Sequence, residues 1–188
     1  MKTEIVIAGF GGQGVLSLGM TLAYAGMIEG KEVSWMPSYG PEMRGGTANC
    51  TIIISDQNIS SPIINVFDLA VVLNQPSLEK FEDRVKTNGH LLYESNQILK
   101  TPTRQDISTF SVSATQEAAK LNNKKGMNMI MLGSVLKILP VVSSQSVIKA
   151  LKKVLPPRHH HLIPLNQKTL QRGQELIKDK ISALPWTH

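Results

Sequence analysis

The sequence predicts an α/β fold: a Rossmann-like three-layer domain with a mostly parallel sheet, one antiparallel hairpin and a helical C-terminal part. Three observations predict it. Short apolar runs rich in β-branched residues, Glu4–Ala8 and Asp68–Leu73, read as strands buried on both faces. A glycine-rich turn, Gly9–Gly14, joins the first run to a segment with helical spacing. From Ala114 onward the pattern is helical, so strands come first and helices dominate late.

Taken in order, Glu4–Ala8 is a strand and Gly9–Gly14 a turn. Val15–Ile28 carries apolar residues at 15, 16, 18, 22, 25 and 28, a helical spacing that Gly30 stops. Glu32–Met36 alternates and reads as a second strand, making residues 4–36 a right-handed β-turn-α-β unit with parallel strands. Pro37–Gly46 is a loop. Thr47–Ser55 is a strand, and after a turn at Asp56–Asn58 the segment Ile59–Ile64 is expected to return as its antiparallel partner. Asp68–Leu73 is another buried strand, and Ser77 is a good N-cap for a helix running to about Val85. Asn88-Gly89 is a turn, followed by strands at His90–Tyr93 and Ile107–Ser111. Helices are expected over Ala114–Leu121, Met127–Leu139, Gln145–Leu155 (ended by Pro156-Pro157) and Asn166–Leu184.

A chain of 188 residues, 41% hydrophobic, makes one domain, 1–188, and is too apolar to be disordered throughout. Only 18% of residues are charged, against about 25% in an average protein, which suits a surface facing another chain. The single cysteine, Cys50, cannot form an internal disulfide, an iron–sulfur cluster or a Cys-rich zinc site, and fits a reducing, cytoplasmic setting. Ile5–Ile28 is free of charge, but six glycines break it and its helical part is too short to span a membrane. The chain therefore reads as soluble and untargeted.

The net charge of +6 lies wholly in the last 40 residues: residues 1–148 hold 12 bases and 12 acids, residues 149–188 eight bases and two acids. A basic tail suits nucleic acid, an anionic cofactor, an acidic partner, or simply a solvated helix face. Nucleic acid is disfavoured by the nine aromatics and the lack of a basic-aromatic motif.

Gly9-Phe10-Gly11-Gly12-Gln13-Gly14 matches G-x-G-x-x-G with a strand before it and a helix after. Its backbone N–H groups and the helix N-terminus suit a phosphate or carboxylate. The alternative is that the glycines only let helix and strand pack closely. A dinucleotide site also needs an acid at the end of the second strand. Here that strand ends Trp35-Met36-Pro37 and Glu32 stands at its start, which counts against a free-standing NAD(P) dehydrogenase. In the second loop, Arg44 offers a planar cationic fork, Gly45 and Gly46 offer amides, and Ser38, Tyr39 and Thr47 offer hydroxyls. Both loops follow parallel strands and should share the carboxyl rim of the sheet. The candidate binding residues are Gly11, Gly12, Gln13, Gly14, Ser38, Tyr39, Arg44, Gly45, Gly46 and Thr47. No catalytic constellation or metal site is expected. The side chains of His159-His160-His161 diverge, Met127, Met129 and Met131 suit a core, and Cys50 suits burial.

GFGGQG after the first strand, SYGPEMRGGTANC after the second, then DLAVVLN (68–74), NMIMLG (128–133) and LIPLN (162–166), together resemble the gamma subunit of 2-oxoacid:ferredoxin oxidoreductases over most of the chain. The resemblance implies a subunit that is not catalytic alone. It would support oxidative decarboxylation of a 2-oxoacid, 2-oxoglutarate or a branched-chain acid favoured over pyruvate or indolepyruvate, to acyl-coenzyme A. It implies alpha and beta partner subunits that carry thiamine diphosphate, magnesium and iron–sulfur clusters, ferredoxin reached through the complex, and coenzyme A as co-substrate at the assembled site.

Overall fold

In a computed structural model of the chain, which describes residues 1–39 and 47–182 with side chains to 178, six strands form one mixed sheet. They are β1 (Lys2–Phe10), β2 (Glu32–Tyr39), β3 (Thr47–Ser55), β4 (Phe67–Val72), β5 (Val85–Glu94) and β6 (Ser108–Val112), in the order β2-β3-β1-β4-β5-β6. The helices are α1 (Val15–Ile28), α2 (Gln75–Phe81), α3 (Ala114–Lys120), α4 (Met127–Ile138), α5 (Ser144–Val154) and α6 (Ile163–Ser182). Contacts β1–β4, β4–β5 and β5–β6 are parallel, while β3 runs against both of its neighbours. The α/β class, the mostly parallel sheet and the helical C-terminal part are therefore as expected.

Two strand pairings differ from the sequence reading. β2 points the same way as β1 but does not touch it, because β3 lies between them, paired with β1 from Lys2↔Ser55 to Phe10↔Thr47. The burial pattern supplies the reason. Ile52, Ile53 and Ile54 of β3 are buried on alternating faces and suit the interior of the sheet. β2 is half exposed and carries Pro37, which is tolerated at an edge. Ile59–Ile64 forms no strand: β1 and β2 occupy both sides of β3, and Pro62 lacks a ladder donor. Ile64 instead tucks under the sheet.

Smaller differences are local. α2 begins two residues before Ser77, because Asn74 is its cap and accepts from the Ser77 N–H at 2.9 Å. Asn88-Gly89 sits inside β5 as an irregularity between the pairs Phe67↔Val85 and Leu69↔His90, with Asn88 at φ 62°. The last helix starts at Ile163, after a 3-10 turn over Pro157–Leu162 that holds the three histidines.

The sheet is covered unequally. One face (Ile5, Ile7, Ile52, Ile54, Leu69, Leu92) packs against α1, α3, α4, α5 and α6. The other (Val6, Ala8, Ile53, Ala70, Leu91) packs against α2 and irregular segments bearing Ile64, Ile98 and Ile107. Within the thicker layer α4 and α6 cross at backbone range: a Cβ at Gly133 would strike the Leu170 carbonyl, and one at Gly173 the Ile130 carbonyl. Ser134 sits at the same crossing and donates to the Ile130 and Gly173 carbonyls at 3.0 and 3.2 Å. Among the described residues, no helix is long and apolar enough to cross a membrane.

Cys50 lies in β3 at 0% exposure, its thiol donating to the Val15 carbonyl at 3.7 Å. Burial pushes this thiol up to about 12. Native chain at pH 8 is therefore expected to resist a maleimide for hours, while chain in denaturant reacts within minutes. Comparable rates in the two states would show that Cys50 is open to solvent.

Candidate functional site

The ends of β1, β2 and β4, and the start of β3, lie along one rim of the sheet. Phe10 is paired with Thr47 and Tyr39 with Ala48. The anchors of the two predicted loops are thus separated only by β3, about 10 Å at ordinary strand spacing. Arg44, Gly45 and Gly46 lie outside the described residues, whereas Ser38, Tyr39 and Thr47 are exposed at this rim.

The first glycine turn is fixed from inside. Gln13 folds its side chain back, where Oε1 accepts the Phe10 N–H at 2.6 Å and Nε2 donates to the Leu73 carbonyl at 3.2 Å. Asn74 adds a bond to the same Oε1 at 3.4 Å. Gly9 has no Cβ because the folded-back amide occupies that space, 2.6 Å away. The Gln13 N–H bonds the Phe10 carbonyl at 3.1 Å, so both the side chain and the amide of this residue serve the turn rather than a guest. Gly12 and Gly14 take φ 97° and 79°, the left-handed region that favours glycine. Gly14 is the N-cap residue of α1, and no side chain caps that helix. Its first-turn N–H groups therefore lack intrahelical partners.

A cleft of about 490 Å³ opens beside this turn. Gly12, Gln13 and Gly14 form one wall, and Gln97, Thr115, Lys124, Lys125, Met127 and Asn128 the rest. Packing of α4 against α1 creates it: a Cβ on Gly14 would sit 3.1 Å from the Asn128 amide nitrogen, so glycine lets the two helix starts approach. Around Gly12 there is open space. No acid lines the cleft, and both lysines are exposed with no ion pair among the described residues. The N-terminal ends of two helices and two cations make this region suited to an anion.

Of the sequence-predicted residues, Gly12, Gln13 and Gly14 line the cleft. Ser38, Tyr39 and Thr47 share its rim without lining it. Lys124, Lys125 and Asn128 were not anticipated. Their only sequence signal is a polar connection, Asn122–Gly126, set between two helical stretches.

The edge position of β2 bears on dinucleotide binding. The ribose-binding acid of such folds stands at the tip of the strand next to β1, a place held here by the oppositely running β3, and Glu32 lies at the far end of β2. Elsewhere, His160 contacts the Leu155 carbonyl at 3.0 Å, and the His159 and His161 rings stand 6.4 Å apart. Among the described residues, no three His, Cys, Asp or Glu side chains are grouped to hold a metal ion.

Residues 4–176 match the family described as pyruvate ferredoxin/flavodoxin oxidoreductase. The ketoisovalerate oxidoreductase subunit VorA of Methanothermobacter thermautotrophicus is 37% identical over 96% of this chain, which spans only 37% of that relative's length. The 2-oxoglutarate synthase subunit KorC of Methanothermobacter marburgensis is 32% identical, over 95% of this chain and 98% of its own. The crystal structure of the keto/oxoacid ferredoxin oxidoreductase gamma subunit of Geobacter sulfurreducens superposes with a TM-score of 0.80 at 28% identity, covering 94% of this chain and 99% of that one.

Proposed function

We propose a role that proceeds from one fact: this chain belongs to the pyruvate ferredoxin/flavodoxin oxidoreductase family. The chain serves as the gamma subunit of a 2-oxoacid:ferredoxin oxidoreductase, not catalytic alone, in an assembly that converts a 2-oxoacid to its acyl-coenzyme A and passes the electrons to ferredoxin. Similarity to subunits acting on ketoisovalerate and on 2-oxoglutarate favours a branched-chain acid or 2-oxoglutarate as substrate.

The carrying observation is the cleft at Gly12–Gly14, with its cations Lys124 and Lys125 and, among the described residues, no opposing acid or ion-pair partner. Coenzyme A brings phosphates, and backbone amides plus two ammonium groups are a chemically matched receptor for them. Within this reading Gly12 lets the guest approach the backbone, Gln13 holds the turn rigid, and the lysines fix the phosphates. Ser38, Tyr39 and Thr47 extend the same rim, and Arg44, Gly45 and Gly46 are assigned in this reading to coenzyme A binding as well.

Thiamine diphosphate and iron–sulfur clusters supply the decarboxylation and electron-transfer chemistry of this enzyme class. This chain's residues do not fit them: it has one cysteine, fully buried, and no GDG-plus-Asn segment for a magnesium-held diphosphate. Both groups belong to the alpha and beta subunits.

Co-expression with alpha and beta subunits of a 2-oxoacid:ferredoxin oxidoreductase tests the reading. A stable complex and coenzyme A-dependent reduction of ferredoxin by a 2-oxoacid are expected, with turnover lost when this chain is omitted. Full turnover by the partners alone would overturn it. Calorimetric binding of NAD or NADP by the isolated chain would revive the dehydrogenase alternative.

A further inference from the structure

α5 and α6 enclose a second groove of about 400 Å³, lined by Ile148 and Leu170 at its base and by Gln145, Gln167, Gln171 and Gln174 at its sides. Lys149 also lines it, and Lys152 follows one turn on along the same face of α5, since Gln145, Ile148, Lys149 and Lys152 are spaced three and four residues apart. Among the described residues neither lysine has an ion-pair partner. Many other cations are matched: Lys2, Lys31, Lys86, Arg104, Lys120 and Arg172 each contact a carboxylate. In the sequence no acid occurs between residues 149 and 174; Glu175 is engaged by Arg172 and by Gln171, and Glu29 accepts the Ser143 N–H at the start of α5, so both acids beside the groove already have partners. The result is an apolar trough with amide sides and an uncompensated cationic flank.

We propose that this groove seats an acidic segment of a partner subunit, its apolar side chains against Ile148 and Leu170 and its carboxylates facing Lys149 and Lys152. The inference rests on the reading of this chain as a subunit. Charge complementarity selects the occupant, because the trough repels a basic segment and leaves its lysines unmatched by a neutral one. The Gln145 and Gln167 side chains suit the peptide groups of such a segment, since amides both donate and accept, whereas Gln171 and Gln174 already donate to Glu175 and Ser144.

The test uses Gln171→Cys. Cys50 is buried, so the introduced thiol is the reactive one in the native chain. Its maleimide labelling rate is compared in the isolated full chain and in the co-expressed complex. Labelling at least tenfold slower in the complex is expected. In addition, Lys149→Glu should weaken assembly at least tenfold and Lys149→Met less, with the circular dichroism of the free chain unchanged. If a complex forms but the introduced thiol labels as fast as in the free chain, the groove assignment is overturned and the subunit reading stands. If no complex forms, both are overturned. Slow labelling already in the isolated chain, accompanied by dimerisation in sedimentation, assigns the groove to a second copy and overturns the proposal. Equal effects of the glutamate and methionine variants overturn the acidic character of the occupant.

Discussion

Replacing Gly133 by alanine is expected to destabilise the chain by about 3 kcal/mol, the upper part of the range for an overpacked core position. The added carbon meets the main-chain carbonyl of Leu170, not the end of a flexible side chain. No rotamer change relieves it, so α4 and α6 must part. Separation opens the cluster around Ile130, Leu132, Leu170 and Ile177 and stretches the Ser134 bonds at the crossing. Gly173→Ala should behave alike, since its new carbon meets the Ile130 carbonyl. Gly30→Ala is the comparison. Its surroundings are open and only its φ of 71° is strained, so about 1 kcal/mol is expected. Urea unfolding decides the matter: the midpoint should fall by about 1–2 M for Gly133→Ala at ordinary urea sensitivity. A midpoint unchanged from wild type would show that the helices are not held at backbone contact.

Substituting both Lys124 and Lys125 by alanine is expected to raise the KM for coenzyme A of the assembled enzyme about tenfold or more, as for the loss of a charge-assisted hydrogen bond. Both lysines are exposed, so the effect should shrink at high salt. The KM for the 2-oxoacid and the turnover at saturating coenzyme A should stay near wild type, because neither lysine is assigned to the reacting carbon. Lys100→Ala, which removes a cation outside the cleft lining, should change nothing. An unchanged coenzyme A KM in the double variant would remove the cleft from the binding site. Steady-state titration of each substrate at two salt concentrations makes the distinction.

The sequence disclosed the cleft only in part, for identifiable reasons. Gly9–Gly14 was readable because a strand, a glycine turn and a helix succeed one another within one local stretch. The position of β3 was not. A run such as Thr51–Ile54 declares burial, but not which neighbours it pairs with, and the antiparallel insertion beside β1 is settled by competition between β2, β3 and Ile59–Ile64 for two sides of a sheet. Lys124 and Lys125 were hidden for a similar reason. They come within reach of Gly12 only through the packing of α4 on α1, where Gly14 yields space to Asn128, and no local pattern encodes that distance. The α5–α6 groove was half visible: the excess of bases after residue 148 could be counted, but the apolar floor of Ile148 and Leu170 arises only when two helices lie side by side.

The long ladder between β1 and β3 has a consequence for divergence. Nine consecutive rungs, Lys2↔Ser55 to Phe10↔Thr47, hold β3 on β1, and eight more, Glu32↔Ser55 to Tyr39↔Ala48, set the register of the β2–β3 hairpin whatever joins Tyr39 to Thr47. Doubling the length of such a joining segment costs only about 0.6 kcal/mol in closure entropy. Insertions, deletions and wholesale exchange between these two anchors are therefore cheap, while the scaffold beneath them stays in frame.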